Sequence, residues 1–264
     1  MITKPDDLAA GTATLAADLS PGAARTAQKA VVLVHGAWHG GWRWRRVVDL
    51  LQARGHKVFA PTLTGLGERS HLLDAKVDLT MHVTDIVNLI KWERLNDIVL
   101  VGHSYGGMVI TGAADRAADR VGHRVYLDAA YPRHDESLLE HAGPMISAAR
   151  QAGRVVNGVE LVLFPDVGGP EFYGVTDPVQ HGWAKQRLTP HPWKSFEQKL
   201  QLTNEAAMRA IPESHLICTS TIPGRDMPLL TQRSQGRVWD IDTGHDLMLT
   251  EPAWVAEKLA LIAG

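Results

Sequence analysis

Short apolar segments typical of β-strands alternate along this chain with segments that have helical apolar spacing, and no other feature constrains the fold as strongly. The strand-like segments are KAVVLVHG, HKVFAPTLTGLG, DIVLVGH, HRVYLDAA, SHLICTST and GRVWDIDTG. Helical spacing follows the first three, over Trp42–Arg54, Leu79–Trp92 and Tyr105–Ala118. Helices that cross between parallel strands cover both faces of their sheet. We therefore predict an α/β fold with a doubly wound, mostly parallel sheet.

The alternation is interrupted over residues 131–212, where prolines and aromatic residues mix with helical pieces, as in HGWAKQRLTPHPWKSF. We predict that this segment is a mainly helical cap, inserted into a core formed by residues 29–130 and 213–264. Residues 1–28 are rich in Ala, Thr and Gly, and they lack the basic start and apolar centre of a secretory signal. We expect them to form a loose N-terminal extension.

One serine lies between glycines at the point where the third strand-like segment meets a helix. The pentapeptide GHSYG, residues 102–106, fits the pattern G-x-S-x-G on a strand–turn–helix. Such a sharp turn presents its serine at the carboxyl edge of the sheet, and it needs glycines because a Cβ would collide with adjacent backbone. A plain tight turn is the alternative. We favour Ser104 as a catalytic nucleophile.

A nucleophilic serine needs a base, and its reaction needs donors for the developing oxyanion. His245 follows the last strand-like segment, so we expect it at the same sheet edge as Ser104 and predict that it is the base. A surface-loop histidine is the alternative. The candidate oxyanion donors are the backbone N–H groups of Tyr105, directly after the serine, and of Ala37, where the loop HGAWHGGW turns.

The acid that would orient His245 has two candidates. Asp128 ends the strand-like segment RVYLD, and Asp226 lies in TIPGRDMP. Both keep the chain order serine, acid, histidine, which is one of the orders found for such triads. An aspartate that closes an apolar strand is costly to bury unless it is paired. We therefore favour Asp128 over Asp226.

These segments resemble the α/β-hydrolase superfamily over Val31–Ala263, and within it the small esterases related to methyl-salicylate-type esterases and hydroxynitrile lyases. The resemblance is carried by LVHGAWHGGWRW, GHKVFAPTLTGLGERSH, DIVLVGHSYGG, YLDA and GHDLMLTEP. It implies a sheet of the α/β-hydrolase type, and it implies that Ala37 and Tyr105 supply the oxyanion donors. It also implies an acid directly after the strand at Leu216–Thr219.

The chain departs from the resembling proteins at three places. Where the resemblance implies the acid, this chain has Ser220 and Thr221. Some members of the superfamily carry the acid after the preceding strand, which matches Asp128. The resembling lyases have a threonine where this chain has Gly36 and a lysine where it has Asp246. The last two departures favour hydrolysis over cyanohydrin cleavage.

The predicted function is a serine hydrolase that forms an acyl-enzyme on a small hydrophobic carboxylic ester, with aromatic esters, carbamates and lactones left open. Trp38, Trp183 and Trp193 are candidate substrate-binding residues because they offer large apolar surfaces. One alternative is a slow-turnover or non-enzymatic small-ligand receptor on the same fold. A carbon–carbon lyase similar to the hydroxynitrile lyases is the other.

Composition argues against several other classes of function. A net charge of −2 gives no basic face for nucleic acid or an anionic membrane. The 13 histidines are scattered without zinc-like spacing or HExxH, so we expect neither a metal nor a cofactor. The single cysteine, Cys218, is predicted to be a buried thiol, which fits a reducing compartment. We expect a cytoplasmic protein that acts on a small molecule, and we allow for a homodimer.

Overall fold

The computed structural model describes residues 28–151, 153–164 and 173–264. The predicted N-terminal extension, residues 1–28, lies outside the described residues apart from Gln28. Within the described residues the strands are β1 Val31–Val34, β2 Val58–Phe59, β3 Ile98–His103, β4 Val121–Leu127, β5 Arg154–Val156, β6 Val159–Val162, β7 His191–Pro192, β8 Glu213–Cys218 and β9 Val238–Ile241.

Six of these strands form one sheet in the order β2-β1-β3-β4-β8-β9, and every neighbouring pair is parallel. This arrangement confirms the predicted α/β fold with a doubly wound, mostly parallel sheet. The side chains of β1, β3 and β8 are buried along their whole length, as expected for strands that are covered on both faces. The carboxyl ends of all six strands lie at one edge, where the loops that carry the candidate site meet.

Within the described residues the helices are α1 Arg45–Ala53, α2 Leu79–Trp92, α3 Gly106–Arg116, α4 Leu138–His141, α5 Gly143–Gln151, α6 Pro178–Lys185, α7 Lys194–Glu197, α8 Glu205–Ala210, α9 Met227–Arg233, α10 Leu247–Thr250 and α11 Pro252–Ala263. Helices α1 and α11 cover one face of the six-stranded sheet, and α2 and α3 cover the other. In the described part of the chain, no helix has the length and apolar character needed to cross a membrane.

The alternation of side chains along β1 divides the core into two layers. Val31 and Leu33 pack with α1 and α11 on one face, whereas Val32 and Val34 pack with α2 and α3 on the other. All four side chains are fully buried. Burial of each such side chain contributes about 1.5–3 kcal/mol, so the two layers hold the sheet rigid beneath the loops at its carboxyl edge.

Between β4 and β8, the described residues of the predicted insertion, residues 131–212, lie outside the six-stranded sheet. We predicted a mainly helical insertion, and its described part contains α4 to α8 together with an antiparallel sheet in the order β5-β6-β7. The turn between β5 and β6 is Asn157-Gly158, and both residues have positive φ, 51° and 78°. Asn-Gly is the preferred sequence for this two-residue hairpin turn. That dipeptide was the sequence signal for the small sheet.

A buried ion cluster joins β4 and β8 at the edge opposite the candidate site. Glu213 accepts hydrogen bonds from Arg124 at 2.8 Å and from His215 at 3.3 Å, and it pairs with Arg233 at 3.1 Å. Burial raises the pKa of Glu213, but His215 and the two guanidinium groups outweigh burial and lower this pKa to about 2. The carboxylate is therefore more acidic in the folded chain than in the unfolded chain, where its pKa is about 4.3.

This shift predicts a loss of stability in acid. The carboxylate of Glu213 stabilises the fold above the unfolded pKa, and that contribution falls as the pH drops from about 4.3 towards 2. At about 1.4 kcal/mol per pKa unit, we expect a loss of at most about 3 kcal/mol from this group. Urea unfolding at pH 7 and pH 3 should show a smaller acid-induced loss for Glu213→Gln than for the parent. Glu257→Gln, at an exposed glutamate, is the control. Equal losses for the parent and Glu213→Gln would contradict the shift.

Candidate active site

Ser104 lies on a strained turn between β3 and α3. Its φ is +52°, in the left-handed region that side chains other than glycine rarely adopt. A Cβ on Gly102 would lie 2.5 Å from the carbonyl oxygen of Gly106, and a Cβ on Gly106 would lie 2.7 Å from that of Val34. The two glycines therefore allow the sharp turn that presents the hydroxyl of Ser104 at the carboxyl edge of the sheet.

The structure brings Asp128 and His245 together at the same edge. Asp128 follows the last residue of β4, and its Oδ2 accepts a hydrogen bond from Nδ1 of His245 at 2.5 Å. His245 lies four residues after β9 and is nearly fully buried. Both residues and Ser104 line one cavity of about 540 Å³. A carboxylate bonded to Nδ1 leaves Nε2 of the imidazole as the nitrogen that can take a proton.

The carboxylate of Asp128 is surrounded by hydrogen-bond donors. Its Oδ1 accepts from Thr221 Oγ1 and from Arg225 Nη2, each at 2.6 Å, and from the backbone N–H of Cys218 at 3.4 Å. Burial raises the pKa of Asp128, but the bond and charge of His245, followed by the charge of Arg225, hold this pKa well below its usual range. Asp128 is therefore ionised at neutral pH and can stabilise a positive charge on His245.

Asp226, the other candidate acid, has a different role in the structure. It is the N-cap of α9, where its Oδ1 accepts the backbone N–H of Leu229 at 3.0 Å. It does not line the cavity that holds Ser104 and His245. Of the two aspartates, the structure thus places Asp128, and not Asp226, against the histidine.

Cys218 ends β8 and is fully buried, as the sequence indicated. Its Sγ donates to Oδ2 of Asp128 at 3.0 Å. Burial and the charge of Asp128 raise the pKa of this thiol to about 11, so it stays protonated and remains a donor. Among the described residues, Asp128, Cys218 and His245 form one group whose ligand atoms lie close enough for a metal ion, within 4.8 Å of one another. Sγ of Cys218 and Nδ1 of His245 both already donate hydrogen bonds to Oδ2 of Asp128.

Two buried histidines hold the backbone around the turn. Nε2 of His35 accepts the N–H of Leu63 at 3.0 Å, so its Nδ1 carries the hydrogen and donates to the carbonyl of Gly36 at 2.8 Å. Burial lowers the pKa of His35 to about 4. Nε2 of His103 donates to the carbonyl of His245 at 2.9 Å, and burial holds the pKa of His103 well below its ordinary value. Both imidazoles are neutral at neutral pH and orient loops.

The sequence profile of the Alpha/beta hydrolase family matches residues 31–258, which is most of the chain. The chain belongs to this family. The match confirms the predicted superfamily and sheet type.

Several relatives of this α/β-hydrolase are esterases. The carbendazim hydrolyzing esterase of Nocardioides sp. (strain SG-4G) is 37% identical over 241 residues, which is 88% of this chain and 98% of that protein. Methylesterase 2 of Arabidopsis thaliana is 36% identical over 211 residues, 71% of this chain and 76% of that protein. These relatives confirm the prediction of a carboxylic-ester hydrolase.

A solved structure shows the same architecture. An extracellular alpha/beta-hydrolase from a Paenibacillus species superposes with a TM-score of 0.74 at 25% sequence identity, over 89% of this chain and 99% of that chain. That hydrolase is described as sharing structural and functional homology with tobacco salicylic acid binding protein 2. This likeness agrees with the resemblance to the methyl-salicylate-type esterases that the sequence motifs indicated.

In this α/β-hydrolase one candidate oxyanion donor, Ala37, lies in the loop after β1, and the other, Tyr105, directly follows Ser104. Ala37 and Tyr105 are both buried, and neither backbone N–H meets an acceptor among the residues that the structure describes. The side chain of Tyr105 is fully buried, and its hydroxyl contacts Nδ1 of His82 at 2.8 Å. Neither Tyr105 nor Ala37 is among the residues that line the cavity at Ser104.

The three candidate substrate-binding tryptophans are not among the residues that line the cavity at Ser104. Trp193 is fully buried, and its Nε1 donates to Glu197 at 2.7 Å. Trp183 packs edge-on against Trp42 and lines a separate pocket of about 270 Å³. Trp38 is buried, and its Nε1 donates to the carbonyl of Val162 at 2.9 Å. Packing within the inserted segment and against the loop after β1 accounts for these placements.

The hydrolase contains a buried ion pair directly behind the histidine. Asp246 is fully buried and pairs with Nη2 of Arg43, which belongs to the helical turn after the first loop. Burial lowers the pKa of Arg43 to about 9, which still leaves it charged at neutral pH. The pair anchors the chain next to His245. The sequence analysis gave no role at the site to Thr221, Arg225 or Arg43, although the run TSTIPGR after β8 placed polar donors at the sheet edge that carries the candidate site.

Proposed function

We propose that this esterase hydrolyses small hydrophobic carboxylic esters or carbamates through an acyl-enzyme on Ser104. The observation that carries the proposal is the 2.5 Å hydrogen bond between His245 Nδ1 and Asp128 Oδ2, at a cavity that Ser104 also lines. In this mechanism Oγ of Ser104 attacks the substrate carbonyl while Nε2 of His245 takes its proton. The same proton then goes to the leaving alcohol, and water repeats the sequence on the acyl-enzyme.

The oxyanion that forms during attack would be stabilised by the backbone N–H groups of Ala37 and Tyr105. These groups supply hydrogen bonds without a metal or a cofactor. Asp128, held ionised by its donors, would keep His245 in the tautomer with the hydrogen on Nδ1 and stabilise the imidazolium.

The cavity supports a small, largely apolar substrate. Its volume of about 540 Å³ lies in the range of small-molecule sites. The apolar side chains of its lining are Ala129, Ala130, Tyr131, Leu138 and Ala142. The names of the two esterase relatives point to two probes for this chain, methyl esters and carbendazim.

Two details of the site favour hydrolysis over lyase chemistry. A Cβ on Gly36 would lie 2.8 Å from His103 Nδ1 and 2.9 Å from Ser104 Cβ, so a threonine there would force the turn to shift. Asp246 is committed to its ion pair with Arg43 and offers no cation beside His245. The chemistry of the resembling lyases would need both positions to differ.

The test is intact-mass spectrometry after incubation with a fluorophosphonate, followed by turnover assays. We expect one adduct on the parent protein, no adduct on Ser104→Ala, and one adduct on the control Ser234→Ala, whose serine lies outside the cavity. We then expect multiple turnovers within a panel of p-nitrophenyl esters, aromatic methyl esters, aryl carbamates, lactones and carbendazim. If the protein forms the adduct but the unlabelled protein turns over each substrate only once, the ligand-receptor alternative is favoured. No adduct on a folded parent protein would overturn the proposal.

A further inference from the structure

Ala37, a candidate oxyanion donor, is followed in its loop by Trp38. Hydrogen bonds join Trp38 to the inserted segment. Three polar groups of Trp38 have partners there. Its N–H donates to Nδ1 of His191 at 3.3 Å, its carbonyl accepts from the N–H of Thr189 at 3.0 Å, and its Nε1 donates to the carbonyl of Val162 at 2.9 Å. Trp38 has a φ of +64°, which a β-carbon disfavours, so surrounding contacts must hold it there.

The peptide bond between Ala37 and Trp38 is held at both of its polar ends. Nδ1 of His39 donates to the carbonyl of Ala37 at 2.6 Å, while the N–H of Trp38 donates to His191. A peptide unit is planar, so fixing its carbonyl and its N–H fixes the plane. The orientation of this plane constrains the ψ angle of Ala37. It thereby constrains the direction of the N–H of Ala37, which is the candidate oxyanion donor.

His191 also contacts the second half of the candidate oxyanion hole. Its ring lies edge-on to the ring of Tyr105, with 4.9 Å between centroids, and stacks on Phe196 at 4.4 Å. One fully buried imidazole therefore contacts Tyr105 and bonds to the residue after Ala37.

The tautomer of His191 is fixed by its partners. Nδ1 must accept because the backbone of Trp38 is the donor, so the hydrogen is on Nε2. Nε2 donates to Oγ of Ser195 at 2.8 Å, and that hydroxyl donates onward to the carbonyl of Pro192 at 2.9 Å. Burial holds the pKa of His191 well below its ordinary value, so the imidazole stays neutral and Nδ1 keeps its lone pair.

We propose that His191 is a positioning residue for catalysis: it makes the inserted segment part of the oxyanion hole by holding the loop at Ala37 and Trp38 in its donor-forming shape. The inference rests on the proposed function, because it concerns the reaction at Ser104. It assigns to the inserted segment a role in the rate of the chemical step, in addition to any role in enclosing a substrate.

Two polar variants separate the effects of the two hydrogen bonds of His191, one with the N–H of Trp38 and one with Oγ of Ser195. In His191→Asn the side-chain oxygen is as many bonds from Cα as Nδ1, so it can still accept the N–H of Trp38 but cannot reach Ser195. In His191→Gln the amide nitrogen is as far along the side chain as Nε2, so it can still donate to Ser195 but offers Trp38 no acceptor. His134→Gln is the matched control, because Nδ1 of His134 accepts the backbone N–H of Leu202 at 3.1 Å away from the cavity.

We expect His191→Gln to lower kcat by about 10- to 100-fold, a part of the 10²- to 10³-fold cost of losing an oxyanion donor, with KM changed by less than about 3-fold. His191→Asn should stay within about 3-fold of the parent, since the acceptor for Trp38 is kept. His134→Gln should keep the parental kcat.

A trifluoromethyl ketone gives an independent readout. Oγ of Ser104 adds to its carbonyl carbon, the proton moves to Nε2 of His245, and the carbonyl oxygen becomes an oxyanion in the hole. Its inhibition constant should rise in His191→Gln by the same factor as kcat falls.

Equal losses of kcat in His191→Asn and His191→Gln would overturn the positioning role, and so would parental kcat in a folded His191→Gln. Melting temperatures identify the folded variants. If His191→Asn is unstable, the comparison of His191→Gln with the control His134→Gln still decides. The proposed function is judged separately on the parent protein. If the parent forms the Ser104 adduct and turns over, a failure in the His191 variants counts against the positioning role alone.

Discussion

Asp128→Asn is expected to lower kcat by about 10³- to 10⁴-fold while the protein remains folded. Thr221, Arg225 and the backbone of Cys218 all donate to the position of Oδ1, so the asparagine amide will place its oxygen there. Its NH₂ group then faces Nδ1 of His245, which must become an acceptor. The hydrogen moves to Nε2, and the histidine can no longer take a proton from Ser104. Steady-state kinetics on the best ester of the panel measure the effect.

Asp226→Asn is the matched control for this prediction. The side chain caps α9 outside the cavity, and asparagine is as good an N-cap as aspartate. We expect parental kcat and a nearly unchanged melting temperature. The assignment of the acid would be wrong if Asp226→Asn lost activity while Asp128→Asn stayed within about 10-fold of the parent, since removal of a triad acid costs far more than that.

Arg43→Leu is expected to produce the largest loss of stability. Asp246 is fully buried, and this substitution leaves its carboxylate without the guanidinium that compensates it. Breaking a buried ion pair from one side costs about 3–5 kcal/mol, because the remaining charge stays in a medium of low dielectric constant. For a chain of this size that loss lowers the melting temperature by roughly 10 °C. Thermal unfolding followed by circular dichroism measures it.

The exposed neighbour Arg45 provides the control. Arg45→Leu should change the free energy of unfolding by no more than about 0.5 kcal/mol, as is usual for surface positions. The double variant Arg43→Leu with Asp246→Leu should recover much of the loss, because it removes both charges together. A cost below about 1 kcal/mol for Arg43→Leu alone would show that the pair contributes little, as many exposed ion pairs do.

Local patterns were sufficient to predict the sheet, the helices beside it and the turn at Ser104. Helix α2 begins and ends where its apolar spacing predicts, and the side chain of Asp78 caps it by accepting the N–H of Met81. The turn at Ser104 was equally predictable, since Gly102 and Gly106 occupy positions where a Cβ has no room. In both cases the determining contacts lie within a few residues of each other along the chain.

Contacts between distant parts of the chain set the rest of the site, and the sequence could only rank candidates there. Asp128 and His245 are 117 residues apart, and their bond depends on the path of the intervening chain. The contact of Trp38 with His191 spans 153 residues. A bulky aromatic side chain beside a reactive loop suggests substrate binding when seen in sequence alone. Its polar atoms here bond to the inserted segment, a partner that no local pattern could supply.

Ser104 and Asp128 follow two neighbouring strands, and this adjacency affects how the family can vary. His103 and Leu127 are paired across β3 and β4, and the N–H of Ser104 donates to the carbonyl of Leu127 at 3.3 Å. The backbone separation of the two residues is therefore set by the spacing of hydrogen-bonded strands, about 4.8 Å. Insertions or deletions in the loops after β8 and β9 can alter the approach of His245 and the shape of the cavity. They leave the distance between Ser104 and Asp128 unchanged, so loop length can vary the shape of the cavity without rebuilding that pair.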